Sequence, residues 1–347
     1  MTSDRRPLVT LLLYAYQERR FIEAAVSSLL GQDYSPLEIV LSDDGSTDGT
    51  YEVMERLAGS YSGPHRVLLN RNATNTGIGS QINAGVAMSD GELIVLANGD
   101  DVSEPNRVSR TVQAWIDNGR VAAVWTDLTQ IDGDVFPRGR IMSTAGAFPD
   151  LATGIRNRFE GAGLAACVAL RRDVFTRFGP LPDNLMLEDN PLFLRAVLLG
   201  AVLRLGEPLV RYRVHEHNIS QSYLPGDFEE WRARHRKATI WQTSEGVKAN
   251  LQMLRDLYQA PVEQWPDFEL RRARLVAMEL VQEKAILYDY YARDTSIPLR
   301  ARCASLMRLA VTLAKVGIKR AFPFIEARND RWHYRRANED AGNRHDT

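Results

Sequence analysis

Three short acidic segments, each beside an apolar run, constrain the fold of this chain more than any other feature. The segments are Asp43-Asp44, Asp100-Asp101 and Glu188-Asp189. In an open parallel sheet the carboxyl ends of the strands meet at one crevice, and ligands bind there. Carboxylates at such an edge repel one another unless a cation, a sugar hydroxyl or a proton lies between them. The sequence therefore predicts a site for a metal-bound, hydroxyl-rich substrate, with solvated turn acids as the alternative for any single segment.

Strand-like and helical segments alternate through residue 100. Apolar runs predict strands at residues 8–14, 37–41, 65–69 and 93–96, and periodic segments predict helices at residues 20–30, 51–58 and 78–88. This alternation is typical of right-handed βαβ units around a parallel sheet. Later segments predict helices at 107–118 and 187–199, strands at 121–126, 165–170, 202–205 and 209–214, and a loop over the crevice at 137–163. The predicted fold class is α/β, with a Rossmann-like, mostly parallel sheet flanked by helices.

The strand signals end near residue 228, which predicts a domain boundary. Residues 1–227 would form the α/β domain, and residues 228–347 an α-helical C-terminal region. A helix is predicted over residues 273–291, with Leu275 and Leu280 in the core. The polar tail at residues 328–347 is expected to be flexible.

Composition excludes several classes of protein. The 347 residues carry a net charge of −1, whereas a dedicated nucleic-acid binder needs a clear basic excess. Cys167 and Cys303 lie far apart, without the spacing of a metal site or of a disulfide framework. No signal-peptide core follows the first residues, and no apolar stretch approaches ~18–20 residues. We therefore expect a cytoplasmic protein without a membrane span.

Several motifs follow one another in a fixed order along residues 8–222. They are Tyr14-Ala15-Tyr16-Gln17-Glu18, Asp43-Asp44-Gly45-Ser46, Asn75-x-Gly77, Asn83-x-Gly85, Asn98-Gly99-Asp100-Asp101, Glu188-Asp189 and Tyr212-Arg213-Val214-His215. In this order and spacing the chain resembles glycosyltransferase family 2, whose members have the GT-A fold and transfer sugars from nucleotide donors with inversion. No single motif is decisive, but together they are specific.

The resemblance implies a pocket for a nucleotide-diphosphate sugar. Its residues would be Tyr16, Glu18, Asp43, Asp44, Asn75, Gly77, Asn83, Asn98 and Asp101. The residue types agree, because a carboxylate accepts strong hydrogen bonds from a base N–H or from ribose hydroxyls. Simple packing is the alternative for Tyr16, and helix capping is the alternative for Asp43 and Asp44.

The segment Asn98-Gly99-Asp100 stands where the family carries an Asp-x-Asp metal motif. The resemblance implies that Asp100 and His215 bind a divalent cation, Mn²⁺ or Mg²⁺, which stabilises charge on the departing phosphate. As an imidazolium, His215 could instead offset phosphate charge directly. Asn98 replaces the first Asp of the motif, so it would offer a neutral carbonyl ligand or contact the sugar, and the metal dependence of the site is open.

Glu188 and Asp189 are the predicted catalytic residues. An inverting transfer requires one carboxylate that deprotonates the acceptor hydroxyl, and Asp189 is the candidate general base. Glu188 would orient hydroxyls of the donor or of the acceptor. For both residues the alternative is capping of the following helix through its dipole.

The sequence thus predicts an inverting glycosyltransferase that moves a sugar from a nucleotide-diphosphate donor to a hydroxyl of a glycan or lipid-linked acceptor, in polysaccharide or glycolipid assembly. One alternative is a polyprenyl-phosphate sugar transferase. The other is a catalytically silent nucleotide-sugar binding module. No nucleic-acid partner is expected.

Residues 299–324 combine basic with apolar side chains. From residue 300 to the end the sequence has 11 Lys and Arg against 5 Asp and Glu. A basic amphipathic helix of this kind can lie on an anionic membrane surface, which would suit a lipid-linked acceptor and a location at the inner face of the membrane. Packing against the catalytic domain, or a dimer contact, is the alternative.

Overall fold

The computed structural model describes residues 6–132, 137–141, 150–157, 165–183, 185–215 and 244–292. Nine strands within these ranges share one sheet. They are β1 (Val9–Ala15), β2 (Leu37–Asp43), β3 (Arg66–Arg71), β4 (Leu93–Asn98), β5 (Val102–Ser103), β6 (Ala123–Asp132), β7 (Pro137–Ile141), β8 (Val168–Arg171) and β9 (Val202–Val214). All strands predicted before residue 100 are confirmed, and most of them extend one or two residues further.

The order of strands in the sheet is β3-β2-β1-β4-β8-β6-β9-β5, with β7 paired to β6. Strand β1 is parallel to β2 and β4, and β2 is parallel to β3. The pairs β4–β8, β6–β8, β6–β7 and β5–β9 are antiparallel. The α/β class is confirmed. However, the sheet is mixed, because the four strands that helical crossovers connect are parallel, whereas β5, β7 and β8 form antiparallel pairs.

The helices complete this arrangement. They are α1 (Ile22–Leu30), α2 (Thr50–Ser60), α3 (Ile78–Ala87), α4 (Arg107–Asp117), α5 (Leu151–Arg156), α6 (Asp173–Thr176), α7 (Asp189–Leu199), α8 (residues 244–258) and α9 (Asp267–Ala292), with a 3₁₀ turn at Ala165–Cys167. Strands β1 and β2 are buried at every residue. This agrees with their uninterrupted apolar sequences, which are typical of strands covered on both faces.

Three sequence-based expectations are wrong. The two strands predicted at 202–205 and 209–214 form the single strand β9, since pairing in the sheet overrides the break signal of Gly206 and Pro208. Residues 137–163 are not only loop. They contain β7, which pairs with β6, and α5, which the side chain of Asp150 caps through the Thr153 amide. Leu280 is buried as predicted, but Leu275 is 59% exposed because it lies on the outer face of α9.

Several expectations lie outside the described residues. They are the domain boundary near residue 228, the amphipathic segment at 299–324 and the tail at 328–347, and all three stay predictions. Among the helices that the structure describes, none combines the length and the apolar character that crossing a membrane requires.

Candidate active site

The end of β1 lies between the ends of β2 and β4, so the first two acidic segments flank it. In the parallel register Ala15 is paired with Asp43, and Tyr14 with Asn98. The pairing continues past β4, where the amide of Gly99 donates to the carbonyl oxygen of Tyr14 at 3.1 Å. Both segments therefore lie at the carboxyl edge of the parallel strands.

The third acidic segment contacts the same end of β1 through a side chain. The hydroxyl of Tyr14 donates to Glu188 Oε1 at 3.3 Å, and both side chains are buried. Asp189 is the first residue of α7, and its Oδ1 accepts a hydrogen bond from the amide of Ala165 at 2.5 Å. The three acidic segments consequently meet around the end of one strand.

Burial controls the protonation of the pair Glu188 and Asp189. The pKa of Asp189 is raised to about 6, because burial disfavours its charged form, and the hydrogen bond from the Ala165 amide opposes the rise. The pKa of Glu188 is raised well above its ordinary value, first by burial and then by the negative charge of Asp189. Asp189 therefore ionises first and is the member of the pair that can act as a base near neutral pH.

Asp43 offers an acceptor atom at the end of β2. Its Oδ2 accepts a hydrogen bond from the Ser46 amide at 3.0 Å and lies 3.9 Å from Nε of Arg71. Its Oδ1 is buried and has no hydrogen-bond partner among the described residues. A buried acceptor without a partner is costly, so a ligand N–H or hydroxyl at this atom would be favourable.

The carboxylate of Asp44 is occupied by the chain itself. Its Oδ1 accepts hydrogen bonds from Asn72 Nδ2 (2.8 Å) and from both the amide and the hydroxyl of Thr76 (2.9 Å each). Its Oδ2 accepts a hydrogen bond from the amide of Gly77 at 2.8 Å. Asp44 therefore shapes the turn between β3 and α3, and a direct ligand contact by this residue stays a prediction.

Three other predicted contact residues have different surroundings. Asn83 exchanges two hydrogen bonds with the backbone of Leu181, at 2.8 Å to its oxygen and 2.9 Å from its nitrogen, so its amide group fixes the segment before α7. Tyr16 is 44% exposed and Asn75 is also exposed, which leaves both side chains accessible to a ligand. Their roles in binding stay predictions.

Asn98 and Asp101 are joined at the end of β4. The amide group of Asn98 donates from Nδ2 to Asp101 Oδ2 at 3.2 Å, while its Oδ1 is buried without a hydrogen-bond partner among the described residues. The other carboxylate oxygen of Asp101 accepts a hydrogen bond from the Arg213 amide at 2.8 Å. Burial, and then the charge of Asp100, raises the pKa of Asp101 well above its ordinary value.

Glu18, Asp100 and His215 form a group suited to a divalent cation. Each offers one ligand atom, and these atoms lie within 4.8 Å of one another. The pKa of Glu18 is raised to about 8, first by burial and then by the charge of Asp100, so a cation beside them would relieve a repulsion. Two carboxylates and an imidazole suit a divalent cation such as Mg²⁺ or Mn²⁺. The residues present therefore fit the metal that the sequence predicts.

Comparison with known families agrees with this arrangement. Residues 10–178 match the family model for glycosyl transferase family 2. The chain carries a family 2 glycosyltransferase domain. That domain contains β1 to β8 with the first two acidic segments, whereas Glu188, Asp189 and His215 lie beyond the matched range. The family to which the motifs point is therefore confirmed.

Relatives of the family 2 domain include an uncharacterised glycosyltransferase of Nostoc sp., which is 29% identical over 230 residues (64% of this chain and 69% of the relative). The hyaluronan synthase of Pasteurella multocida is 30% identical over 149 residues, which is 43% of this chain but only 14% of that protein.

Solved structures resemble this chain over nearly its whole length. S. aureus TarS in complex with UDP-GlcNAc superposes with a TM-score of 0.52 at 16% identity, covering 96% of this chain and 91% of the other. The mannosyltransferase PcManGT of Pyrobaculum calidifontis, in complex with GDP-Man and Mn²⁺, gives a TM-score of 0.51 at 17% identity, covering 96% and 87%. At this identity the likeness establishes the fold alone, which is the GT-A fold.

Sequence reasoning missed Arg107, a fully buried arginine in the first turn of α4. Its Nη2 donates to the carbonyl oxygens of Leu96 in β4 and Ala166 in the 3₁₀ turn, both at 2.7 Å. The same turn supplies the Ala165 amide that holds Asp189. Arg107 thereby ties the end of β4 to the partner of the candidate base. The sequence carries no signal for this role, because an arginine at a helix start reads as exposed.

Arg213 was also missed, although it lies within a motif that the sequence singled out. Its Nε donates to the carbonyl oxygen of Asp100 at 2.8 Å, and its guanidinium lies 4.7 Å from the ring centroid of Phe21. Together with the amide bond to Asp101, these contacts fix the end of β9 against the second acidic segment. The Tyr-Arg-x-His context could have drawn attention to this arginine.

Proposed function

We propose that this chain is an inverting glycosyltransferase that transfers a sugar from a nucleotide-diphosphate donor to a hydroxyl group, with a divalent cation assisting departure of the nucleotide. The family 2 domain supports the donor class. The observation that carries the proposal is that the three acidic segments meet at the end of β1. One carboxylate there, Asp189, is separate from the group suited to a cation. A displacement with a single general base requires this division of roles.

In this scheme Asp189 accepts the proton of the acceptor hydroxyl. The acceptor oxygen forms a bond to the anomeric carbon on the face opposite the nucleotide. The bond between that carbon and the phosphate oxygen breaks, and its electron pair leaves with the diphosphate. Because attack and departure occur on opposite faces, the anomeric configuration is inverted. A positioned base of this kind contributes about 10²–10⁴ in rate.

Glu18, Asp100 and His215 are our candidates for holding the cation. A bound divalent cation supplies Lewis-acid stabilisation of the departing diphosphate. Glu18 provides a second carboxylate where Asn98 replaces the first Asp of the family motif, so the loss of charge at that position is offset nearby. The Mn²⁺ in the complex of PcManGT supports this part of the proposal.

The nucleoside of the donor is assigned to the ends of β1 and β2. The unpartnered Oδ1 of Asp43 would accept a hydrogen bond from the base or the ribose. Tyr16 directly follows β1, and its exposed ring offers a face on which the base could stack. UDP-GlcNAc and GDP-Man, which occupy the solved relatives, are the first donors to test.

The acceptor is proposed to be a hydroxyl of a growing glycan or of a lipid-linked sugar, in polysaccharide or glycolipid assembly. The sequence similarity to the hyaluronan synthase of Pasteurella multocida supports a glycan acceptor. For a lipid-linked acceptor, the basic segment 299–324 would contact the cytoplasmic face of the membrane.

The test combines donor binding with transfer. Calorimetry with UDP and GDP sugars, with and without Mn²⁺, identifies the donor, and nuclear magnetic resonance of the product gives its anomeric configuration. Asp189→Asn should reduce kcat by 10²-fold or more while donor affinity stays within about threefold. Asp117→Asn, a change at an exposed aspartate of α4, is the matched control.

Each alternative has its own result. Binding of a nucleotide sugar without transfer to any acceptor would favour a silent binding module. Transfer to a polyprenyl phosphate that survives Asp189→Asn would favour the phosphate-acceptor transferase, since a phosphate needs no base. A product with retained configuration would contradict the proposal.

A further inference from the structure

Tyr14 lies near the end of β1, and its hydroxyl contacts the buried acid pair Glu188 and Asp189 through Glu188. The side chain is only 6% exposed, and so is that of Glu188, to which the hydroxyl donates at 3.3 Å. On β1 it is in register with Asn98, so it lies between the second and the third acidic segments. A phenylalanine would fill the same space, so the hydroxyl requires a separate explanation.

The two acids of the pair have hydrogen-bond partners of different kinds. Asp189 is held by the amide of Ala165, which can only donate and therefore favours an ionised carboxylate. Glu188 is held by the Tyr14 hydroxyl, which can donate or accept and is therefore compatible with a neutral carboxylic acid. Two adjacent buried carboxylates are unfavourable when both are charged. Burial and the charge of Asp189 favour a neutral Glu188, and they act against its own backbone amide and the Tyr14 hydroxyl, which favour the ionised form. The Tyr14 hydroxyl can nevertheless hold the neutral acid in position, because it donates to an oxygen that need not carry the proton.

We propose that Glu188 works as a neutral carboxylic acid held in position by the Tyr14 hydroxyl, and that Asp189 alone carries the negative charge of the pair. Tyr14 is then a positioning residue for the transfer reaction, on which this inference rests. Because the Tyr14 hydroxyl donates to Oε1 of Glu188, the proton of the acid lies on Oε2. From there it can be donated in a hydrogen bond to a substrate oxygen. The proton of the acceptor hydroxyl goes to Asp189, and the proton of Glu188 stays in place throughout.

The surrounding charges agree with this assignment. Burial, followed by the charges of Glu188 and Asp189, raises the pKa of Tyr14 well above its ordinary value, so the phenol remains protonated. Within the described ranges, the other titratable or charged groups that act on the pair or on Tyr14 are Asp101, Cys167 and Arg107. Burial raises the pKa of the Cys167 thiol to about 12, so it adds no negative charge.

A titration that does not depend on activity tests the inference. The full chain is labelled with ¹³C at the glutamate carboxyl carbons, and the signal absent from Glu188→Gln is assigned to Glu188. We expect this signal to titrate well above the ordinary glutamate range. Tyr14→Phe should move it to higher pH by about one unit, since a donated hydrogen bond favours the ionised form. Titration in the ordinary range, or no movement in Tyr14→Phe, would overturn the inference even if transfer is observed.

Tyr34→Phe is the matched control. Tyr34 is also buried, at 5% exposure, and its hydroxyl makes one hydrogen bond, to the carbonyl oxygen of Pro7 at 2.7 Å near the start of β1. Both variants lose one buried hydrogen bond, but only Tyr14→Phe should shift the Glu188 titration. An equal shift in Tyr34→Phe would assign the effect to general loosening of the fold and overturn the inference.

Steady-state kinetics give the second measurement. Glu188→Gln should lower kcat much less than Glu188→Ala, because the amide is neutral, can still donate to a substrate oxygen and still accepts from Tyr14. Tyr14→Phe should lower kcat about tenfold with donor KM nearly unchanged, because the loss is one of orientation. A loss of activity in Glu188→Gln as large as that in Asp189→Asn would show that Glu188 acts as a charged group and would contradict the inference.

Discussion

Asp44 and Gly77 are joined by a hydrogen bond of 2.8 Å from the glycine amide to Oδ2 of the aspartate. Gly77 has a φ of 87°, a conformation that a side chain disfavours, and it directly precedes α3. The aspartate thereby fixes a left-handed residue at the start of a helix that packs beside β1. In this family 2 domain the second acid of the first segment is part of the scaffold, whereas Asp43 next to it keeps an oxygen for a ligand.

Asp44→Ala should destabilise the protein by about 2–4 kcal/mol, because four donors lose a charged acceptor. Urea unfolding measures this change. Asp90→Ala, at an exposed aspartate before β4, should change the free energy of unfolding by less than about 0.5 kcal/mol. If Asp44→Ala changed the free energy of unfolding as little as Asp90→Ala does, other contacts would hold the turn, and Asp44 would not have the structural role described above.

Activity should depend on pH through Asp189. Its pKa is raised to about 6, and only the ionised form can accept a proton. The value of kcat should therefore fall as the pH decreases through about 6 and level off above it, which a pH–rate profile with a pH-tolerant donor would record. Glu188→Gln, a change at the buried neighbour, should keep this fall of kcat near pH 6. A fall of kcat near pH 4 instead would mean that the base is an exposed carboxylate.

The position of the site could be predicted because it depends on chain order alone. Apolar runs that end in acidic residues indicate strands whose carboxyl ends meet, and β1, β2 and β4 do meet in this way. The partners of each acid could not be predicted. The donors to Asp44 come from the turn at 72–77, and Asn83 pairs with Leu181 across 98 residues of sequence. Such contacts depend on the packing of whole elements.

The buried polar groups beneath the site could not be predicted from the sequence either. Tyr14 ends an apolar run and reads as a core residue, and Arg107 reads as an exposed helix start. Both side chains are buried. Tyr14 donates to Glu188, and Arg107 donates to the 3₁₀ turn whose Ala165 amide holds Asp189. A pattern of hydrophobicity reports which residues are apolar, but it cannot report which polar groups the fold encloses.

Glu18→Gln should weaken binding of Mn²⁺ by at least about tenfold, since it removes one of the two carboxylates in the candidate metal group. Electron paramagnetic resonance of free Mn²⁺ during a titration measures this without requiring activity. Glu23→Gln is the matched control, because Glu23 lies on the exposed face of α1 and pairs with Arg56. Equal affinities in both variants would exclude Glu18 from the metal site.

The buried ion pair between Arg195 of α7 and Asp256 of α8 should be sensitive to the loss of one partner. Nε and Nη2 of Arg195 lie 2.8 and 3.2 Å from the two carboxylate oxygens, and both side chains are fully buried. Arg195→Leu leaves the aspartate buried without its counter-ion, so we expect a loss of about 3–5 kcal/mol in the free energy of unfolding. Urea unfolding with Arg271→Leu as the control measures it, because the pair of Arg271 with Asp267 is exposed and should contribute little.

The double variant Arg195→Leu/Asp256→Leu separates the charge of the pair from its packing. With both charges removed, the stability should recover by at least half of the single-variant loss, since hydrophobic residues can replace a buried pair at small cost. The orientation of α7, and with it the carboxylate of Asp189 at its first residue, should then survive, and kcat of the double variant should stay within about threefold of the unmodified protein. If stability recovers but kcat does not, the pair positions α7 through its hydrogen bonds and not merely through packing.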